Sequence, residues 1–177
     1  MEDTSKVLIQ AGRTGNGRTM AKIEITDLQD CIPLEKKLIL LVFRRLMKEE
    51  GRSARSLSVV LTDNRHIRDL NREYLGKDGH TDVISFPLED VDWPGNGLNG
   101  GVNGGIIASA EMAFQQAKAR NIDPRAELLL YLVHGLLHLI GYDDRTPNDA
   151  ERMHRREDAL LEQFGFANIY ATRPAVQ

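Results

Sequence analysis

Apolar and polar positions alternate from Lys22 to Thr26, the two-residue period of a half-buried strand. From Pro33 to Glu50 the period lengthens to that of a helix, with Pro33 suited to a first turn and Gly51 to a stop. Leu57 to Leu61 is a short β-branched run and a second strand. Thr62, Asp63 and Asn64 follow it as cap candidates for a helix through Tyr74. Val83 to Phe86 reads as a third strand, ended by Pro87. From Glu89 to Gly105 the chain is crowded with Gly, Asn, Asp and Pro, which is loop chemistry, before Ile106 and Ile107 open another strand. The rest reads as three helices: about Ala110 to Arg120, Asp123 to Ile140 with Pro124 in its first turn, and Pro147 to Phe164. Gly141 and Gly165 are natural stops for the last two. Strands first and helices after predict an α+β fold, a small mixed β-sheet packed with about five helices.

A chain of 177 residues, 41% of them hydrophobic, is long enough for one domain with a sizeable core and too short for two. That domain is expected over residues 20–165, between a flexible N-terminal tail, 1–19, and a C-terminal tail, 166–177. The most apolar run, Leu128 to Ile140, is too short to span a bilayer and carries two histidines, so it predicts a buried helix and no membrane association. The single cysteine, Cys31, excludes an intramolecular disulfide framework and a Cys-rich zinc knuckle, and fits a reducing, cytoplasmic location.

Inside that apolar run, His134 and His138 stand four residues apart, so both imidazoles project from one helix face, one turn apart. Alone, such a pair is as readily a hydrogen-bonded core feature as a pair of metal ligands. Gly141 changes the balance, because a glycine at a helix end can turn the chain back toward the helix face and bring up Asp144 as a third ligand. Two imidazoles and a carboxylate suit one zinc ion with a fourth position open, although other transition metals fit the same donors. The plainer alternative is a helix stop followed by a solvated acidic turn leading into the last helix. Metalloproteases share this spacing on a zincin-like metal-binding helix, but they carry a glutamate base directly after the first histidine, where this chain has Gly135. Proteolysis therefore lacks its base. Phosphodiester hydrolysis, in which charge stabilisation is most of the task, remains open to a metal with little other help.

The segments HGLLHLIGYDD, Leu70-Asn71 through Tyr74, Gly76-Lys77-Asp78 and Thr81-Asp82-Val83-Ile84-Ser85-Phe86-Pro87 together resemble the bacterial YbeY family of metal-dependent endoribonucleases. The resemblance covers roughly residues 20–165. It implies a zinc site at the helix end, cleavage of single-stranded RNA, and a role in rRNA maturation at the 16S 3′ end and in ribosome quality control. The implied partners are rRNA precursors and the small ribosomal subunit or its assembly factors. This chain departs from the family pattern at Asp144, where many members have a third histidine, and at Leu75, where many have arginine. It departs again at Gly104-Gly105, in place of the usual Gly-Asp. Arg72, one helical turn before Leu75, and Lys77, a mobile point charge, are candidates for the arginine's role, with a solvated surface charge as the alternative reading of Arg72. The resemblance places Thr81, Asp82 and Ser85 near the RNA cleft; structurally, the first two could simply cap a turn.

Two rival functions stay open at this point: a zinc hydrolase of another substrate, and a metal-containing ribosome-assembly factor that binds without cutting. The net charge of -3 requires any RNA contact to come from a local basic patch. The groups available are Arg52 with Arg55, Lys118 with Arg120 and Arg125, and Arg152 with His154, Arg155 and Arg156, each alternatively a solvated face. Aromatics make up only 6% of the chain, which argues against extensive base stacking; Tyr142, beside the ligand turn, is the one placed to matter.

Overall fold

The computed structural model describes residues 22–76, 79, 81–88, 101–167 and 169–170, with 74 and 75 described by backbone alone. The N-terminal tail, Lys77, residues 89–100 of the expected loop and the end of the C-terminal tail lie outside the described residues. In chain order the elements are β1 (Lys22–Asp27), α1 (Lys36–Glu49), β2 (Ala54–Thr62), α2 (Asn64–Leu75), β3 (Val83–Pro87), β4 (Val102–Ser109), α3 (Ala110–Arg120), α4 (Pro124–Leu139) and α5 (Pro147–Glu162). The α+β expectation of a small mixed sheet with five helices holds.

The sheet runs β1-β2-β4-β3, with β1, β2 and β4 parallel and β3 antiparallel to β4. Alternating side chains feed two cores. Leu57, Val59, Leu61, Ile106 and Ala108 face the larger one, with α1, α3, α4 and α5. Val60, Ile84 and Ile107 face a smaller one closed by Ile67 and Leu70 of α2. The helix α4 lies across the larger core and is buried along nearly its whole length, from Ala126 to Leu137. Asp123 caps it by accepting from Arg125 N, and Pro124 occupies its first turn.

The second strand is longer than the sequence reading, Ala54–Thr62 against Leu57 to Leu61, and three further differences have a visible cause. The helix read from Pro33 begins at Lys36, because Ile32 and Leu34 are buried in a non-helical bend, where the Gln29 side chain bonds both polar backbone atoms of Ile32. The segment read as loop up to Gly105 is strand from Val102 onward. Its glycines belong there because the space for a side chain is taken: a methyl group on Gly104 would meet Leu139 and the Phe86 carbonyl at 2.9 Å, and one on Gly105 would meet the Phe86 ring. At the C-terminal end, Ile169 is 2% exposed in the larger core and the Tyr170 hydroxyl donates to Glu157, so packing continues past residue 165.

Direction places the functional end. Ala54 of β2 pairs with Val102 of β4, so both strands start at the same end of the sheet. The helix α4 runs antiparallel to β4, with Gly135 against Ile106 and Leu139 against Gly104, so its C-terminus arrives at that end. The C-terminus of α1 arrives there too, directly before β2.

Candidate metal centre

The end of α4 is a Schellman turn: Tyr142 N donates to Leu137 O at 3.0 Å and Gly141 N to His138 O at 3.0 Å, with Gly141 at φ 105. This left-handed residue folds the following chain back on the helix. The Tyr142 carbonyl then accepts from His138 Nδ1 at 3.1 Å. On the neighbouring turn, His134 Nδ1 lies 2.8 Å from Glu157 Oε1, a carboxylate on α5 whose side chain is 0% exposed. A carbonyl and a carboxylate can only accept, so each Nδ1 carries a proton, which in the neutral ring leaves the lone pair on Nε2.

Those two Nε2 atoms face one another at 3.0 Å. Two lone pairs at that distance repel unless a cation or a proton lies between them. Asp144 Oδ2 stands 3.6 Å from His134 Nε2 and 3.9 Å from His138 Nε2, and all three donor atoms fall within 4.8 Å of one another. Tetrahedral zinc with bonds of about 2.0–2.1 Å separates its ligand atoms by about 3.3 Å, so shifts of a few tenths of an ångström would let these donors share one ion. The donors fit a metal. Both histidine side chains are 24% exposed and Asp144 is 40% exposed, so the cluster opens to solvent on one side.

Burial opposes a charge on His134, but the Glu157 hydrogen bond and charge, followed by the charges of Asp144 and Asp82, outweigh it and raise its pKa above the ordinary value. This acid-rich setting favours a cation at the ring nitrogens. Asp82 accepts from Val83 N at the start of β3, and Val83 and Ser85 of that strand lie against Gly135, so the second sequence motif does reach α4. Ser85 arrives by the same strand: a methyl group on Gly135 would lie 3.5 Å from Ser85 Cβ, 3.0 Å from Ile106 Cγ2 and 3.4 Å from Val83 Cγ2. The position after His134 is thus pressed against the sheet, without room for a glutamate.

Other candidates are placed elsewhere. Arg72 sits on α2, against the opposite sheet face, and pairs with Asp69 at 2.6 Å. Arg120 is withdrawn from solvent in an ion pair with buried Glu127. Arg156 ties α5 to α1 through Glu50 at 2.5 Å and Glu49 at 2.8 Å, and Arg125 pairs with Asp123. Arg152 and Arg155 pair with Asp149 and Glu151 on their own helix. Tyr142 donates to Glu50 at 3.2 Å beneath the Arg152 guanidinium, and so fastens the ligand turn to the end of α1. The sequence reading missed Glu157 and Tyr170. The available signal was an acid at a core-facing position between Met153 and Leu160, an apolar stripe where a carboxylate needs a partner.

A family model described as endoribonuclease YbeY matches residues 24–165. Among curated relatives, endoribonuclease YbeY of an Anaeromyxobacter species is 44% identical over 115 residues, spanning 65% of this chain and 57% of that protein. The Carboxydothermus hydrogenoformans protein of the same name is 37% identical over 145 residues, 80% of this chain and 96% of its own length. That of Geobacter sulfurreducens is 38% identical over 149 residues, 81% and 98%. The solution structure of TM1509 from Thermotoga maritima matches with a TM-score of 0.53 at 23% identity, over 81% of this chain and 92% of that one. Its likeness is one of fold.

Proposed function

This chain belongs to the endoribonuclease YbeY family, and on that premise we propose that it is a zinc-dependent endoribonuclease of single-stranded RNA. Its metal ligands are His134, His138 and Asp144, and its substrates are rRNA precursors, cut toward the 16S 3′ end in association with the small ribosomal subunit. The observation that carries this reading is the pair of Nε2 atoms facing each other at 3.0 Å beside the Asp144 carboxylate. Bound there, zinc would acidify a water and polarise a phosphoryl oxygen.

The chain's own residues supply the rest. Glu157 and the Tyr142 carbonyl hold both imidazoles in the ligating tautomer. Ile106 and Val83 close the sheet side of the centre at Gly135, so substrate approaches from the open side. Ser85 lies on the strand beside His134 and is the hydroxyl we assign to a substrate oxygen. Lys77, between α2 and β3, is the cation we assign to the phosphate, since Arg72 is engaged by Asp69. No helix among the described residues is long and apolar enough to cross a membrane, and the lone cysteine supports a cytoplasmic setting.

The test is cleavage of an end-labelled single-stranded RNA beside the same sequence in a duplex, using purified protein, a chelated sample restored with zinc, and His138→Ala. Cutting of the single strand alone, lost on chelation and in the variant and regained with zinc, is expected. Equal cutting by all samples, or none by any, overturns the reading.

A further inference from the structure

At the same end of the sheet as the histidines, on the other side of α1, lies a cavity of about 310 Å³ lined by Arg44, Lys48 and Arg52 and floored by Ile23, Met47 and Ala54. The last turn of α1 sorts its charges. Glu49 and Glu50 point toward α5 and are held by Arg156, while Arg44 and Lys48 point toward the edge strand β1. Among the described residues no acid pairs with Arg44, Lys48 or Arg52, whereas Arg72, Arg120, Arg125, Arg145, Arg152 and Arg156 each have one. In a chain of net charge -3, three unpaired cations around one cavity form a local positive site. The helix dipole accounts for Lys48 in the last turn, but not for Arg44 a turn earlier or Arg52 beyond the helix.

The chemistry that fits is a phosphate joined to a modest apolar body. The volume lies at the lower end of ligand pockets, about 300–1,000 Å³, enough for one nucleotide unit and too small for a duplex. Among the described residues its lining has no aromatic and no base-reading amide, so a base there rests by apolar contact and is not identified. The path from the metal donors is short in covalent terms: the end of α1 meets the ligand turn through the Glu50–Tyr142 hydrogen bond.

We propose that the Arg44–Lys48–Arg52 cavity is a phosphate subsite that grips the single-stranded RNA at a nucleotide away from the one being cut. It rests on the RNA reading above, but is tested by binding instead of cleavage. Arg44 and Lys48 are exposed and Arg52 is half-buried, so their loss should leave the fold intact.

The experiment measures anisotropy of a fluorescein-labelled single-stranded RNA against the full chain, treated with chelator to prevent cutting, across a salt series. The triple variant R44A/K48A/R52A is compared with K36A/K37A/R65A, which removes three exposed cations from the opposite end of the sheet. Each phosphate contact contributes about 0.7 to the slope of log affinity against log salt, so the pocket variant, which loses the one phosphate the cavity holds, should lose about 0.7 in slope and about tenfold in affinity at low salt. The control variant should change little. Equal effects of the two variants, or no binding by the parent chain, overturn the proposal. Displacement of the RNA by a nucleoside monophosphate with undiminished affinity also overturns it, assigning the cavity to a free nucleotide. A parent chain that binds in this way but leaves the RNA intact in the zinc-restored cleavage assay defeats the nuclease reading and leaves the subsite standing.

Discussion

His134 and Glu157 meet across the α4–α5 contact at 2.8 Å, with the carboxylate wholly withdrawn from solvent. A buried carboxylate is costly unless both oxygens are used. Here Oε1 accepts a hydrogen bond from His134 Nδ1 and Oε2 accepts one from the Tyr170 hydroxyl. One acid thereby fixes the tautomer of a ligand and ties down the chain beyond α5.

Glu157→Gln keeps an acceptor for His134 and removes the charge. Metal affinity, measured by competition with a chromophoric chelator, is expected to fall about tenfold, and Glu157→Ala should approach a hundredfold. The alanine variant also removes the acceptor shared by His134 and the Tyr170 hydroxyl and should lower Tm by several degrees. Wild-type affinity in a folded glutamine variant would show that Glu157 is only a packing residue.

Asp63 caps α2 by accepting from His66 N at 2.8 Å. Burial works against its charge, but the hydrogen bonds and charge of His66 outweigh it and hold the carboxyl below its ordinary range. A depressed carboxyl stabilises the fold above the unfolded pKa, and that part is lost as pH falls through the folded value. Urea melts from neutrality to about pH 3 should show Asp63→Asn, a cap without charge, losing less stability on acidification than the parent. Asp63→Ala should be weaker by about 1 kcal/mol at neutral pH. Parallel pH slopes for the parent and Asp63→Asn would dismiss the charge as a contributor.

Periodicity located every described element, and the clustering of His134, His138 and Asp144 was legible because their spacing lies within one helix and the turn after it. What escaped was set by tertiary contact. Glu157 is 23 residues from His134, and nothing local says which helix face it meets. Gly104 and Gly105 look like loop residues because their strand role depends on Leu139 and Phe86 filling the space beside them. Arg120 and Arg156 read as free basic groups, since their acids lie seven and over a hundred residues away.

That crowding at β4 has a measurable consequence. A methyl group on Gly104 would fall 2.9 Å from both the Phe86 carbonyl and Leu139, the residue next to His138. The carbonyl belongs to a paired strand and cannot swing aside. Gly104→Ala should therefore destabilise by about 1–3 kcal/mol and weaken metal binding by tilting the end of α4. Gly79, with open space around it, should accept alanine within about 0.5 kcal/mol. Chemical denaturation with zinc titration of both variants checks this, and a neutral Gly104→Ala would mean that the strands part more easily than their packing implies.

Asp144 carries the sharpest prediction about rate. As an anionic ligand it cancels one unit of the metal's charge, so water there is a weaker acid than it would be beside three neutral imidazoles. Its side chain is 40% exposed and follows the turn at Gly141, so a histidine has space toward solvent in which to present a nitrogen to the same point. Asp144→His should move the acid limb of the rate–pH profile to lower pH and raise cleavage near neutrality several-fold, with zinc retained. Asp144→Ala should lose both zinc and cleavage. If the histidine variant holds zinc and cuts RNA no faster than the parent at any pH, ligand charge does not limit the rate, and the aspartate is neutral with respect to chemistry.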